Sequence, residues 1–180
     1  MNVVIVGGGK IGLYLAETLL NHGHRPHVVE IDKRTCAHLA DTLDIPVICG
    51  DGTTIEALES ADVGTADALI SVSGRDEDNL ISCQLAKMKF GVKKTVARVN
   101  NPRNLRGMKK LGVDVPVCTT NNIVRVIEHE ADNAQIKLLM SLNAGAASLN
   151  EIVIPDHFPK AGQTLAEIGL SKDVVVVTIT

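Results

Sequence analysis

The chain has 180 residues, 45% of them hydrophobic, and a formal net charge of −3 at pH 7. That length holds one α/β domain of ordinary size with a small appendage, and its apolar content fills one core. Net negative charge with only Tyr14, Phe90 and Phe158 as aromatics leaves little on which to stack bases, which argues against a nucleic-acid partner, and no apolar run reaches bilayer length, which argues against direct membrane insertion.

The first stretch, "NVVIVGGGKIGLYLAETLL", reads as strand, tight turn and helix: Val3 to Val6 run into Gly7-Gly8-Gly9-Lys10-Ile11-Gly12, after which apolar positions recur at helical spacing to Leu20. In a dinucleotide-binding turn Gly7 provides the sharp bend. Gly9 lets a pyrophosphate approach the main chain, and Gly12 lets the helix pack on the strand while its free N–H groups face the anion. Lys10 is expected either to reach a terminal phosphate or to stay in solvent. A glycine triplet alone also serves plain packing, so its context matters.

That context is "HVVEID", a second strand ending at Glu30, about eighteen residues after Gly12, where such units place the acid that accepts from the adenosine ribose. Its charge repels a 2′-phosphate, which disfavours NADP. Ile31 follows in the same turn. Asp32 is expected to cap the next helix near Lys33–Thr42, with assistance to the ribose as the lesser role. A short strand at Pro46–Ile48 leads to "GDGTTIEAL", where Asp51 and Gly52 leave the strand. Thr53-x-x-Glu56 has capping-box spacing for a helix to Ser60. For Asp51, a turn or cap role and a place at the adenine edge weigh equally.

A fourth strand at Ala66–Val72 enters "SVSGRDEDN", in which Ser73 or Asp76 is expected to cap a helix to Phe90 and the loop borders the pyrophosphate. A fifth strand, Thr95–Val99, carries Arg98 at the ligand edge, where a phosphate or carboxylate partner is favoured over solvent. A short helix around Asn101–Leu111 and a strand at Asp114–Val117 complete six β/α units. The whole reads as a Rossmann-like, doubly wound, parallel six-stranded sheet, whose ligands sit at the carboxyl ends of the strands. From Lys87 to Lys110 every charged residue is basic, most simply a solvated face.

His22, His24 and His27 fall at the opposite edge, with no acid or thiol at ligand spacing, so no metal is expected there. Cys36, Cys49, Cys83 and Cys118 stand far apart in sequence and read as small hydrophobes in a reducing compartment. Met1 leads straight into a strand without a secretory pattern, so a cytoplasmic place is expected.

From Thr120 the pattern changes, and a helix carries Ile123, Val124, Ile127 and Ala131 along one stripe. Beyond it, two strands meet at Gly145-Ala146, followed by a short helix in "GQTLAEIGL" and a strand in "DVVVVTIT". The expected domains are 1–134, nucleotide-binding, and 135–180, a small α+β lobe that reads as truncated.

Catalytic patterns are missing: the only tyrosine, Tyr14, lacks a lysine four residues on, and no Ser-His-Asp set or general-base histidine stands at the strand ends. A non-enzyme is therefore expected. The alternative is a small NAD-dependent oxidoreductase or its cofactor-binding subunit.

The stretches "VVIVGGGKIGLYLAETL", "VVEIDK", "ICGDGTTIEAL", "ADALISVSGRDEDNLISCQLAK" and "ARVNNPRN", in this order and spacing, resemble the TrkA family of potassium-uptake regulators. "LNEIVIPDHFPKAGQTLAEIGL" resembles the start of that family's small C-terminal domain. The resemblance implies a cytoplasmic regulatory subunit, peripheral to the inner face of the membrane, that dimerises, forms a ring of eight and docks on a membrane potassium transporter. It assigns Gly7, Gly9 and Gly12 to pyrophosphate, Glu30 to ribose, Asp51 and the Ser73–Asp76 loop to the adenosine side, and Arg98 to phosphate; Gly8, Lys10, Ile11, Ile31, Asp32 and Gly52 complete the expected nucleotide-binding set. The implied ligand is NAD(H) or ATP/ADP, and the helix from Asn121 is implied to pack on a partner subunit.

Overall fold

The computed structural model describes residues 1–120, 123, 124, 127, 136–142, 147–155 and 157–179. Contacts divide the chain into two units, Met1–Arg125 and Val126–Thr180.

The first unit alternates β1 (Asn2–Val6), α1 (Lys10–Asn21), β2 (Arg25–Glu30), α2 (Lys33–Thr42), β3 (Val47–Cys49), α3 (Ile55–Ser60), β4 (Ala68–Ser71), α4 (Asp76–Met88), β5 (Lys94–Val99), α5 (Leu105–Lys110) and β6 (Val115–Cys118). The strands form one parallel sheet in the order β3-β2-β1-β4-β5-β6, so the winding reverses between β1 and β4. Ligand crevices of open α/β sheets lie at such a reversal, outside the carboxyl ends of the strands.

Apolar runs rather than alternating strands were required because both faces of the sheet are covered. Along β1, Val3 and Ile5 enter one cluster with Ala16, Val28, Leu39 and Leu43. Val4 and Val6 enter the other, with Val29, Leu58, Leu69, Cys83, Ala97 and Val99. Ile5, Leu39, Leu58, Leu69 and Val99 are fully enclosed. This two-sided clamp fixes the register of β1 against β2 and β4, with Val6 opposite Val29 and Ser71, and so sets where the glycine turn emerges.

The expected boundaries hold within a few residues, with instructive shifts. The cap of α3 is Thr54, whose Oγ1 accepts from Ala57 N at 3.3 Å, not Thr53, because Thr53 is occupied in a turn with Asp51. Arg75 precedes α4 and neither Ser73 nor Asp76 caps it; Asp76 is its first residue and reaches across to another loop. Within the basic stretch, Lys87 is no free surface cation: its Nζ meets Asp114 Oδ1 at 2.6 Å.

In the second unit, β7 (Ile136–Leu142) and β8 (Ala147–Ile152) pair antiparallel with a register irregularity between Leu138 and Met140. A short helix, α6 (Leu165–Ile168), begins with a capping box in which Glu167 accepts from Thr164 N at 2.7 Å. Residues 174–179, expected as a strand, carry no strand hydrogen bonds; an apolar run becomes a strand only where another strand supplies donors and acceptors. Thr119, Thr120, Ile123, Val124 and Ile127 are helical, in keeping with the apolar stripe. The rest of that helix, including Ala131, and the turn at Gly145-Ala146 lie outside the described residues.

Candidate functional site

The reversal point is built first from the glycine turn. Gly7 has φ +102°, a left-handed backbone that disfavours side chains, and a Cβ there would stand 2.9 Å from Ser73 N. Gly12 faces the Gly7 carbonyl so closely that a Cβ would overlap it. Gly8 lies against Leu39 and Glu30. Gly9 differs: its φ of −64° is ordinary, and a Cβ would meet no atom within 4 Å. The glycines at 7, 8 and 12 are thus explained by packing, and the one at 9 is not.

Glu30, ending β2, turns its carboxylate onto this loop. Oε2 accepts from Gly8 N at 2.6 Å and Oε1 from Asp32 N at 2.8 Å. Two backbone donors hold the acid at the crevice, and each oxygen retains a second lone-pair direction for a ligand donor. Ile31 beside it is 68% exposed. Asp32 caps α2, accepting from Thr35 N at 2.8 Å and Thr35 Oγ1 at 2.9 Å, and these bonds lower its pKa.

Asp51 makes a local turn, its Oδ1 accepting from Thr53 Oγ1 at 2.7 Å and Thr53 N at 2.9 Å, which lowers its pKa as well. Gly52 is pressed against Val6, and its carbonyl accepts from the buried Ser82 hydroxyl at 2.8 Å. The Ser73 hydroxyl turns back to the Arg75 backbone, accepting from its amide at 3.3 Å and donating to its carbonyl at 3.1 Å.

Gly7, Gly8, Glu30, Gly52 and Ser73 are therefore brought together around the ends of β1, β2 and β4. Lys10 and Ile11 open α1, whose cap residue, Gly9, contributes no side-chain hydrogen bond and whose first turn has no acid. The amides there remain available to an anion, unlike those of α2 and α3.

Arg98 is joined to this edge less directly. Its carbonyl accepts from Asn79 Nδ2 at 2.9 Å, while its buried Nε has no hydrogen-bond partner among the described residues. A guanidinium N–H enclosed without an acceptor is uncommon, and a ligand oxygen would satisfy it.

Asn79 and Ser82 escaped the sequence reading, and Asp76, expected there only as a cap, has a different role. Asn79, fully buried, accepts from Ser71 Oγ and Ser73 N, both at 2.8 Å, and donates to the carbonyls of Ser73 and Arg98. Asp76 takes the Asn100 amide at 2.7 Å, the Asn101 amide at 3.1 Å and Asn104 Nδ2 at 2.8 Å. Burial raises the Asp76 carboxyl, but these donors outweigh it and hold its pKa below the usual range. With Ser82, these side chains make the inward face of α4 a polar hub for the loops after β3, β4 and β5. Their signal was available: Asp76, Asn79, Ser82, Cys83 and Ala86 recur at helical spacing, so the polar members share a face with the apolar ones.

The histidines lie away from the crevice. His27 sits inside β2, opposite Val4, with Nδ1 3.1 Å from the Ala61 carbonyl. Among the described residues no group of three or more His, Cys, Asp or Glu side chains is placed to hold a metal. The cysteines do not all stand apart, contrary to their sequence spacing: Cys36 and the exposed Cys49 come together beneath Glu30.

Fold and glycine turn define a Rossmann-like α/β protein with its crevice at the β1/β4 reversal. The TrkA-N domain family profile matches residues 3–119, and the chain belongs to that family. It is 33% identical over 179 residues to a Trk system potassium uptake protein TrkA homolog of Methanothermobacter thermautotrophicus, covering 99% of this chain and 82% of the relative. It is likewise 33% identical over 183 residues to the Trk system potassium uptake protein TrkA of Mycobacterium tuberculosis, covering 99% and 81%. In fold it is similar to the GsuK channel bound to NAD (TM-score 0.67, 22% identity, 74% of this chain and 24% of that one). Similar too are GsuK bound to ADP (0.62, 21%, covering 73% and 34%) and the Shewanella denitrificans Kef CTD in AMP-bound form (0.62, 23%, covering 73% and 79%).

Proposed function

We propose that this protein is a cytoplasmic regulatory subunit of a Trk/Ktr-type potassium transporter, and that an adenine nucleotide, NAD(H) or ATP/ADP, binds the β1/β4 crevice as its signal. The observation that carries this reading is the pairing of the Gly8 amide with the Glu30 carboxylate beside the uncapped start of α1. It offers backbone donors to a pyrophosphate and an acceptor to ribose hydroxyls within one turn. Membership in the TrkA-N family and the nucleotides of the fold neighbours support it.

The residues Gly7, Gly8, Gly9, Lys10, Ile11 and Gly12 hold the phosphates; Glu30, Ile31 and Asp32 face the ribose; Asp51, Gly52 and Ser73 line the adenosine side; and Arg98 meets a phosphate oxygen. Residues 1–134 form the nucleotide domain and 135–180 a small second lobe. The Glu30 charge disfavours NADP.

The nucleotide is read rather than transformed. Hydrogen bonds keep the carboxyls of Asp32, Asp51 and Asp76 ionised, so none of the three stores a proton for acid catalysis. Two copies associate, with rings of eight as the larger assembly, and a ligand that prefers one subunit arrangement by about 1–3 kcal/mol shifts the transporter accordingly.

Competition calorimetry with NADH, NAD, ATP, ADP and NADPH tests the site: saturable binding of at least one nucleotide other than NADPH is expected, and silence for all would overturn it. Rubidium flux into vesicles carrying the transporter subunit, with and without this protein and nucleotide, tests the regulation.

A further inference from the structure

The space between α2 and β3 holds two thiols that twelve residues separate in sequence. Cys36 is buried on the sheet-facing side of α2 and its Sγ lies 3.2 Å from the Glu30 carbonyl oxygen. The amide of Gly50, the residue bonded to Cys49, donates to that same oxygen at 2.8 Å. Cys49 is the register partner of Glu30 across the β2–β3 pair, so both side chains leave the sheet on one face, the face on which Cys36 sits. The Cys36 thiol, on the buried side of α2, and the Cys49 thiol, on the strand it covers, therefore face the same gap, and Cys49 is open to solvent while Cys36 is not.

We infer that Cys36 and Cys49 are a modification site, a dithiol that hydrogen peroxide closes to an intramolecular disulfide stapling α2 to the end of β3. The inference stands on the thiol geometry and does not depend on the nucleotide reading. Burial, followed by the Cys49 contact and the charges of Glu30 and Asp32, pushes the Cys36 thiol up to about 12, so Cys49 reacts first. The Cys49 thiolate attacks one peroxide oxygen, the O–O bond breaks, and hydroxide leaves, giving a sulfenic acid on Cys49. The Cys36 sulfur then attacks the Cys49 sulfur, the S–O bond breaks, and the Cys36 proton departs with the released hydroxide as water. Two thiols lose two protons and two electrons, which the peroxide takes up as it becomes two waters.

Closure also removes the S–H that donates to the Glu30 carbonyl, so the staple alters the hydrogen bonding of the residue whose side chain holds Gly8. Neither Cys83, buried on the opposite face of the sheet, nor Cys118, at the end of β6, can compete for this partner.

The test is peptide mapping under non-reducing conditions after the full chain has met a few equivalents of hydrogen peroxide. A linked pair of peptides carrying Cys36 and Cys49, lighter by two hydrogens, is expected in the wild type, with recovery of both thiols on adding dithiothreitol. Cys49→Ser, a change at an exposed position, is expected to abolish the linked pair while leaving Cys36 open to alkylation after unfolding. Irreversible sulfinic acid at Cys49 with Cys36 still free, or linkage found only between chains, would overturn the assignment.

Discussion

The amide of Gly8 and the carboxylate of Glu30 meet at 2.6 Å, tying the turn after β1 to the end of β2. Those two strands are neighbours whose register sets Val6 opposite Val29, so the acid reaches the turn from the next residue with no long-range rearrangement. Glu30 thus does two things with one side chain: it fixes the loop conformation, and it presents acceptor capacity to the crevice.

Replacement of Glu30 by alanine is expected to weaken the nucleotide found by calorimetry at least about tenfold, a loss of about 1.4 kcal/mol. Far-ultraviolet circular dichroism should stay unchanged, because the change removes two loop hydrogen bonds and leaves the strand and helix ladders intact. Equal affinity in the variant would remove Glu30 from the site.

Gly9→Ala and Gly12→Ala separate ligand approach from packing. The first adds a methyl where no protein atom lies within 4 Å, so chemical stability should change by less than about 0.5 kcal/mol while nucleotide affinity falls. The second drives a methyl into the Gly7 carbonyl and should cost about 1–3 kcal/mol in urea unfolding. Normal affinity in a stable Gly9→Ala protein would show that no phosphate approaches there.

Arg98→Gln is expected to leave stability unchanged, since Nε has no partner to lose, and to weaken binding of every phosphate-bearing nucleotide tested. Adenosine, which lacks phosphate, should bind both forms alike. A variant that binds ATP and NADH normally would assign the guanidinium another partner.

Asp76 makes an acid-limb prediction with a definite sign. Its carboxyl pKa is lower in the folded chain than the ordinary 3.8, so the folded state favours the ionised form. The stabilisation is complete above about pH 4 and disappears as pH falls through the depressed folded value. Asp76→Asn should therefore lose about 1.5–3 kcal/mol at pH 7 and converge on the wild type as pH falls through that depressed value, as followed by urea unfolding at several pH values. A constant difference across that range would discount the charge.

Asn79→Ala should cost about 2–3 kcal/mol, for it strands Ser71, the Ser73 amide and two carbonyls in the interior. Asn79→Asp should be no better, since a carboxylate cannot donate to the carbonyls of Ser73 and Arg98. Wild-type stability in either would mean that water replaces the side chain.

The six β/α units were legible because each strand buried on two faces is a nearly uninterrupted apolar run, and each helix carries its own stripe. Boundaries moved where polar side chains compete for the same amides: Thr53 had the spacing of a cap, but its bonds to Asp51 left Thr54 to serve α3. The run at 174–179 shows the other limit, for β pattern is a property of a pair of strands and its period says nothing about a partner.

By itself the sequence determined the order of elements, the glycine turn, the acid at the end of the second strand and the family, because these are encoded by residues close together along the chain. Only the tertiary structure decided that Glu30 holds Gly8, that Asp76, Asn79 and Ser82 bind three loops to α4, that the Arg98 Nε finds no partner among the described residues, and that Cys36 and Cys49 face one gap. Each of those joins residues from different β/α units, and their separation in space is set by strand order and register. That arrangement follows from how the whole sheet packs, and no local pattern of residues carries it.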